Sequence, residues 1–181
     1  ALARWLAPVT SFTGEEIYEH IPGERLDSVF LTTWYEFPAV ADEQFGPAYW
    51  DEVLEVRQAV DKQLEELRVA GGIGASLDAE VDLYCGQELF ERLQRLEDEL
   101  RFVLITSYAR VHRETESPDH GHHFTLKNGD EMWVTVAPSE HAKCVRCWHH
   151  REDVGTDNAH PDLCGRCVEN VEGNGETRRY A

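Results

Sequence analysis

The spacing of apolar residues predicts helices in the first part of the chain. Thr13 and Glu16 form a capping-box pattern, which predicts that a helix begins there. At 49–70 apolar residues recur every three or four positions, which predicts a long helix with one buried face. Residues 28–34 are β-branched and aromatic, so an extended segment is expected between these helices. We therefore expect 1–74 to form a partial helical bundle.

Beyond that segment the period changes, which predicts a small mixed layer of helix and sheet at 75–138. Apolar and polar residues alternate at 79–85, as in a half-buried strand. Helical spacing returns at 89–100, and short apolar runs at 102–105 and 132–136 predict two further strands. The predicted order is β-α-β-β, with one helix covering the sheet, so the fold class is α+β.

Charge separates this acidic body from the end of the chain. The net charge of the 181 residues is −18, but residues 141–181 carry 6 Lys and Arg against 7 Asp and Glu. Four of the five cysteines lie there, so we place a third domain at 139–181. An acidic surface repels polyanions, which excludes a general basic nucleic-acid binder and restricts any RNA contact to local patches. No apolar run is long enough to cross a membrane.

The cysteines of this segment have the spacing of a structural zinc site. Two C-x2-C pairs, separated by sixteen residues, supply Cys144, Cys147, Cys164 and Cys167. Such pairs place four thiolates around one tetrahedral ion, and a site closed by four protein ligands is structural and not catalytic. Two disulfides and an iron–sulfur centre are the alternatives, and both fit the pattern less well.

Other potential ligands have simpler interpretations. Residues 112–130 are polar and predict a loop leading into a hairpin, and His120, His122 and His123 within it lack ligands at a matching spacing. His149, His150 and His160 lie near the cysteine pairs and are interpreted as surface or loop histidines. Cys85 alternates with apolar strand residues and is expected to be a buried, inert thiol.

Longer motifs resemble one family in the same order along nearly the whole chain. Bacterial isoleucyl-tRNA synthetases have a C-terminal zinc domain that resembles CVRCWHH at 144–150 and LCGRCV at 163–168. The late helices of their anticodon-binding bundle resemble LAPVTSFTGEEI at 6–17, and the junction that follows resembles IGASLDAEV at 73–81.

This resemblance implies a role in tRNA binding without catalysis. The parent enzyme would ligate isoleucine to its tRNA with ATP in the cytoplasm. Its catalytic signatures, His-Ile-Gly-His and Lys-Met-Ser-Lys-Ser, do not occur in this chain. We therefore expect a C-terminal fragment, beginning inside a larger protein at Ala1. Its expected partners are the anticodon stem-loop of tRNA(Ile) and the rest of the synthetase, with no DNA and no membrane.

The resemblance also suggests which residues contact RNA. Arg146 and Trp148 flank Cys147 and, as in the family, are expected to approach unpaired anticodon bases. The alternative is that Trp148 only shields the metal and that Arg146 is solvated. Arg166, Arg178 and Arg179 are candidates for phosphate contacts.

Two other functions fit parts of the sequence. A zinc-ribbon adaptor would use the acidic body to bind a protein partner. A DNA glycosylase family that excises oxidised purines carries a similar C-terminal finger, although the helical pattern at 1–70 and the net acidity disfavour that interpretation.

Overall fold

The structure is a computed structural model that confirms the α+β class. It describes residues 1–39, 44–116 and 121–180. Contacts group the chain into two compact units, Ala1–Gly46 and Pro47–Ala181. The division into domains at 1–74, 75–138 and 139–181 stays a prediction. A membrane-spanning helix is absent from the described part of the chain.

The first unit is built on two short helices, α1 (Leu2–Leu6) and α2 (Ser11–Glu19). A Cβ on Gly14 would lie 2.8 Å from Ala7 Cα, so glycine allows the close approach of the two helices. The capping-box prediction is wrong in register, because α2 begins before Thr13.

The predicted extended segment at 28–34 instead contains a 3-10 turn at Val29–Leu31. The Glu15 carboxylate accepts hydrogen bonds from the Ser28 hydroxyl, at 3.0 Å, and from the Val29 backbone N–H, at 2.9 Å. A side chain of α2 therefore fixes the turn, which a pattern of apolar residues does not reveal.

The second unit begins with the long helix α3 (Pro47–Val69), which confirms the prediction at 49–70. Its buried face consists of fully enclosed aliphatic side chains that lie against the sheet: Val53, Val56, Val60 and Leu64. Since burying such side chains removes apolar surface from water, this face anchors the unit's core.

Four strands form the sheet, in the order β2-β1-β4-β3. They are β1 (Ala79–Cys85), β2 (Tyr108–Arg113), β3 (His122–Thr125) and β4 (Glu131–Pro138). Strands β1 and β2 are parallel and are joined through helices α4 (Gln87–Gln94) and α5 (Leu100–Leu104), whereas the other pairs are antiparallel. The predicted strands at 79–85 and 132–136 are confirmed, and Cys85 is buried as expected.

The strand predicted at 102–105 is wrong. Residues 102–104 belong to α5, and Ile105 caps the helix in the left-handed conformation with φ of 56°. A four-residue apolar run fits either a buried strand or a helix, and the buried residues of α5 follow the helical spacing.

The remaining two strands fall partly or wholly in the region interpreted as a loop. Strand β2 is polar because Arg110 pairs with Glu80 and Asp82 of the neighbouring β1, and these partners are distant in sequence. His122 and His123 begin β3, while His120 lies outside the described residues.

Asp78, just before β1, joins the sheet to the cysteine-rich segment. Its carboxylate oxygen Oδ1 lies 2.9 Å from Lys143 Nζ and 3.3 Å from His150 Nε2. The His150 backbone N–H donates to Ser107 Oγ at 2.6 Å, and Arg151 donates to the Ser107 carbonyl at 3.2 Å. The Lys143 hydrogen bond is the main cause that lowers the pKa of Asp78 to about 2.

We predict that Asp78→Asn weakens the docking of this segment by about 1 kcal/mol. The substitution removes the negative charge that Lys143 and His150 contact, and the amide can turn its nitrogen, a donor, towards them. The depressed pKa means that the ionised form stabilises the fold above pH of about 4 and that this contribution is lost as pH falls towards about 2. Thermal unfolding between pH 2 and 7 measures both effects. Equal stability of the variant and the parent protein at pH 7 would contradict the assignment.

Candidate metal centre

The first cysteine pair lies in a tight turn closed by backbone hydrogen bonds. The Cys144 N–H donates to the His149 carbonyl, and the Trp148 N–H donates to the Cys144 carbonyl, both at 2.9 Å. Trp148 adopts a left-handed backbone with φ of 65°. A bulky residue is uncommon in that region, so the turn sets the direction of the indole at a conformational cost.

The second pair lies at the start of helix α6 (Gly165–Glu172), with Cys164 as its N-cap. The backbone N–H groups of Cys167 and Val168 donate to the Cys164 carbonyl. The Gly165 N–H donates to Asp153 Oδ2 at 3.0 Å, and a Cβ at this position would lie 2.8 Å from that oxygen. A larger residue at this position would therefore displace the Asp153 carboxylate from its hydrogen bond.

The four sulfurs of Cys144, Cys147, Cys164 and Cys167 lie within 4.8 Å of one another. The Sγ atoms of Cys147 and Cys164 are 3.7 Å apart. Tetrahedral zinc with Zn–S bonds of about 2.3 Å places neighbouring sulfurs about 3.8 Å apart, whereas a disulfide bond is about 2.05 Å long. The residues therefore fit one zinc ion better than disulfide bonds, and none of the four cysteines is paired in a disulfide in this structure.

The protein environment already favours thiolate at one ligand. Burial raises the pKa of Cys147, but hydrogen bonds from His149 and Arg166 outweigh it and lower this pKa to about 5. Burial raises the pKa of Cys164 to about 12. Because zinc binds the deprotonated form of each cysteine, binding must displace a proton from Cys164.

Arg146 and Trp148 occupy the outer face of the first turn. Arg146 Nη1 lies 3.6 Å from Cys167 Sγ, so its guanidinium rests against the cysteine cluster. Trp148 is 61% exposed, so much of its surface is open to solvent, and its contact with RNA stays a prediction.

The other RNA candidates lie elsewhere, around a cavity between helix α5 and the cysteine-rich segment 141–181, which we call the finger. Arg166 Nη1 is paired with Glu176 at 3.0 Å, and Arg178 lies over the Phe102 ring at 3.8 Å. The Arg179 backbone N–H donates to Glu99 at 2.7 Å. The structure thus divides the five predicted RNA contacts into an exposed pair and a set of three that line this cavity.

Three other residues of this cavity were not singled out by the sequence pattern: Arg101, Phe102 and Asp153. The sequence pattern places Arg101 between the predicted helix and the predicted strand, and Phe102 at the start of that strand. Only the contact between α5 and the finger shows that they face the cysteine segment. No spacing rule connects positions so far apart.

The histidines near the cysteines do not join the cluster of metal ligands found among the described residues. His149 lies in a loop, as interpreted, but it is buried and not at the surface, with its ring edge-on to Phe102 at 5.8 Å. His160 is paired with Glu172 at 3.0 Å. Cys85 lies in the sheet, where burial raises its pKa to about 12 and keeps it protonated and inert.

We predict that chelation of zinc unfolds residues 141–181 and leaves the helices and sheet of the remaining chain folded. The segment has only a small apolar cluster around its cysteines, so the metal must supply most of its folding free energy. Amide hydrogen exchange before and after chelation measures this, with zinc re-addition as the control. Protected amides in the metal-free segment would contradict the expectation.

Two family models match this chain. "Zinc finger found in FPG and IleRS" covers residues 143–170, and "Anticodon-binding domain of tRNA ligase" covers residues 1–83. The first confirms the structural zinc site. The two matches together contain the cysteine cluster and both helices of the first unit.

Similar proteins are named isoleucine–tRNA ligase. That of Thioalkalivibrio sulfidiphilus is 56% identical over 183 residues, which cover 100% of this chain and 19% of the ligase. Those of Alkalilimnicola ehrlichii and Halorhodospira halophila are 57% and 55% identical, over 99% and 100% of this chain, and again over 19% of each ligase. This chain therefore belongs to the isoleucine–tRNA ligase family and spans about a fifth of the length of these relatives.

Proposed function

We propose that this chain is the C-terminal, tRNA-binding part of an isoleucine–tRNA ligase. The whole enzyme would join isoleucine to its tRNA with ATP in the cytoplasm, and this part would bind the anticodon stem-loop without a catalytic site of its own. The observation that carries the proposal is the order of the two family matches, an anticodon-binding domain followed by a zinc finger.

The alternatives lack comparable support. The zinc-finger family occurs in both FPG and IleRS, so the finger alone does not decide between a glycosylase and a synthetase. The match at residues 1–83 favours the synthetase, as do relatives that align over the full chain. A protein-binding adaptor has no counterpart among the relatives described above.

The exposed pair on the first turn, Arg146 and Trp148, is suited to reading an unpaired base. A planar cation and an indole can each stack on a base, and such stacking is how proteins read single-stranded RNA. The contact with Cys167 holds the Arg146 guanidinium against the cysteine cluster, and the left-handed backbone of Trp148 sets the direction of its indole. A bound zinc ion would supply the rigidity of that cluster, and these two residues would supply the recognition.

The charge of the protein limits how RNA can bind. With a net charge of −18, most of the surface repels phosphate, so affinity must come from local contacts. Arg179 is exposed at the rim of the cavity and is our candidate for a phosphate contact, together with Arg166 and Arg178. Since few cations take part, the dependence of binding on salt should be shallow.

The remainder of the synthetase is the second partner in this proposal. Several large apolar side chains of the first unit are exposed, which is typical of a surface that another part of a protein covers. They include Val9, Phe12, Leu31 and Trp34.

We predict that Trp148→Ala weakens the binding of tRNA(Ile) roughly 5- to 150-fold, because base stacking contributes about 1–3 kcal/mol. Zinc content should not change. Val145→Ala, which trims another exposed apolar side chain of the same turn, is the matched control and should bind normally. A transcript with an altered anticodon loop should bind both proteins weakly. Undiminished affinity of the tryptophan variant at full zinc occupancy would refute the stacking role.

A further inference from the structure

The cavity between the zinc finger and helix α5 has a volume of about 500 Å³, within the range of small-molecule sites of about 300–1,000 Å³. One wall comes from residues 97–102, and another comes from the finger. A third wall is formed by residues 176–179 near the end of the chain. The last wall is held by Glu99, which accepts hydrogen bonds from the backbone N–H groups of Arg179 and Tyr180, each at 2.7 Å.

Three residues that line this cavity each carry a buried polar side-chain atom without a hydrogen-bond partner. Within the described ranges, Arg101 Nη1, His149 Nε2 and Asp153 Oδ1 are the buried side-chain atoms in this condition, and all three residues line the cavity. Arg101 is 4% exposed and His149 is 8% exposed. Because buried polar groups are nearly always paired, this convergence points to a ligand that supplies the missing partners.

The cavity also has an aromatic wall covered by guanidinium groups. The Arg101 and Arg178 guanidinium carbons lie 4.0 and 3.8 Å from the centre of the Phe102 ring. Arg166 lies 5.2 Å from the same centre. Stacked arginine and aromatic planes form the kind of surface on which nucleobases stack.

The chemistry of the unpaired atoms distinguishes a base from a phosphate. Arg101 Nη1 is a donor, whereas Asp153 Oδ1 is an acceptor, so the ligand must carry both kinds of group. A phosphodiester of RNA carries only acceptors and a negative charge, so the Asp153 carboxylate would repel it. Arg101 is moreover already paired with Asp98, at 2.8 Å, so its charge is not free to hold a phosphate. A nucleobase edge offers donors and acceptors side by side without charge.

We propose that this cavity is a second base-binding site, which takes a single unpaired nucleobase with its edge against Arg101, His149 and Asp153. The proposal rests on the proposed RNA-binding function, because the bound RNA would supply that base. The site is distinct from the surface of Arg146 and Trp148, because neither residue belongs to the cavity's lining among the residues that the structure describes.

The test is nuclear magnetic resonance mapping of the zinc-loaded chain with the four ribonucleoside 5′-monophosphates. We expect at least one of them to shift the signals of Arg101, Phe102 and Asp153. Ribose 5-phosphate and inorganic phosphate, which lack the base, should leave these signals unchanged. Absence of any base-dependent shift up to millimolar nucleotide, or equal shifts with inorganic phosphate, would overturn the proposal.

A pair of variants tests the role of the acceptor. Asp153→Asn keeps an oxygen for the Gly165 N–H but places an amide donor where Oδ1 accepts, so base binding should weaken at least about tenfold. Glu152→Gln removes the same charge from the exposed neighbouring side chain and should bind normally. Equal binding by both variants, at unchanged zinc content, would overturn the acceptor role. If Asp153→Asn loses zinc, the base-dependent mapping on the unaltered chain still decides the proposal.

Trp148→Ala separates this proposal from the proposed function. It should weaken tRNA binding and leave mononucleotide binding in the cavity unchanged. If mononucleotides bind in the cavity but tRNA does not bind the chain, the base site stands and the RNA-binding function fails. If tRNA binds and mononucleotides do not, the base site fails.

Discussion

The convergence of four sulfurs on one point organises the last 41 residues of this protein. Apart from the sulfurs, the buried apolar contacts of the finger are few, so its backbone turns depend on the cysteine cluster. Those turns place Trp148 in a left-handed conformation and bring Asp153 onto the Gly165 N–H. They also carry Lys143, His150 and Arg151 to the sheet. One ion thus controls an exposed aromatic surface, an open cavity and the attachment of the finger.

Electrostatics explain why recognition in this chain has to be local. The surface is strongly acidic, and most arginines are committed to carboxylates within the fold, such as Arg166 to Glu176 and Arg110 to Glu80. The groups that remain available for RNA are aromatic rings and hydrogen-bonding groups more than unpaired charges. Stacking on Trp148 and hydrogen bonding within the cavity are consistent with that limit.

The sequence predicts the parts of this structure that depend on local periodicity or fixed spacing. The long helix at 47–69, the strands at 79–85 and 131–138 and the cysteine cluster are of this kind. Strand β2 escapes prediction because its polar residues are paired across to Glu80 and Asp82, which only the folded sheet brings together. The cavity escapes for the same reason, since Arg101 and Asp153 come to line it only through the docking of α5 on the finger. Burial of His149 likewise depends on Phe102, far away in the sequence.

The central claim is that Cys144, Cys147, Cys164 and Cys167 together bind one zinc ion. X-ray absorption at the zinc edge, combined with elemental analysis of the purified chain, tests it most directly. The account predicts one zinc per chain, surrounded by four sulfurs at about 2.3 Å. A nitrogen or oxygen atom in the first coordination shell, or less than stoichiometric zinc in a folded finger, would contradict it.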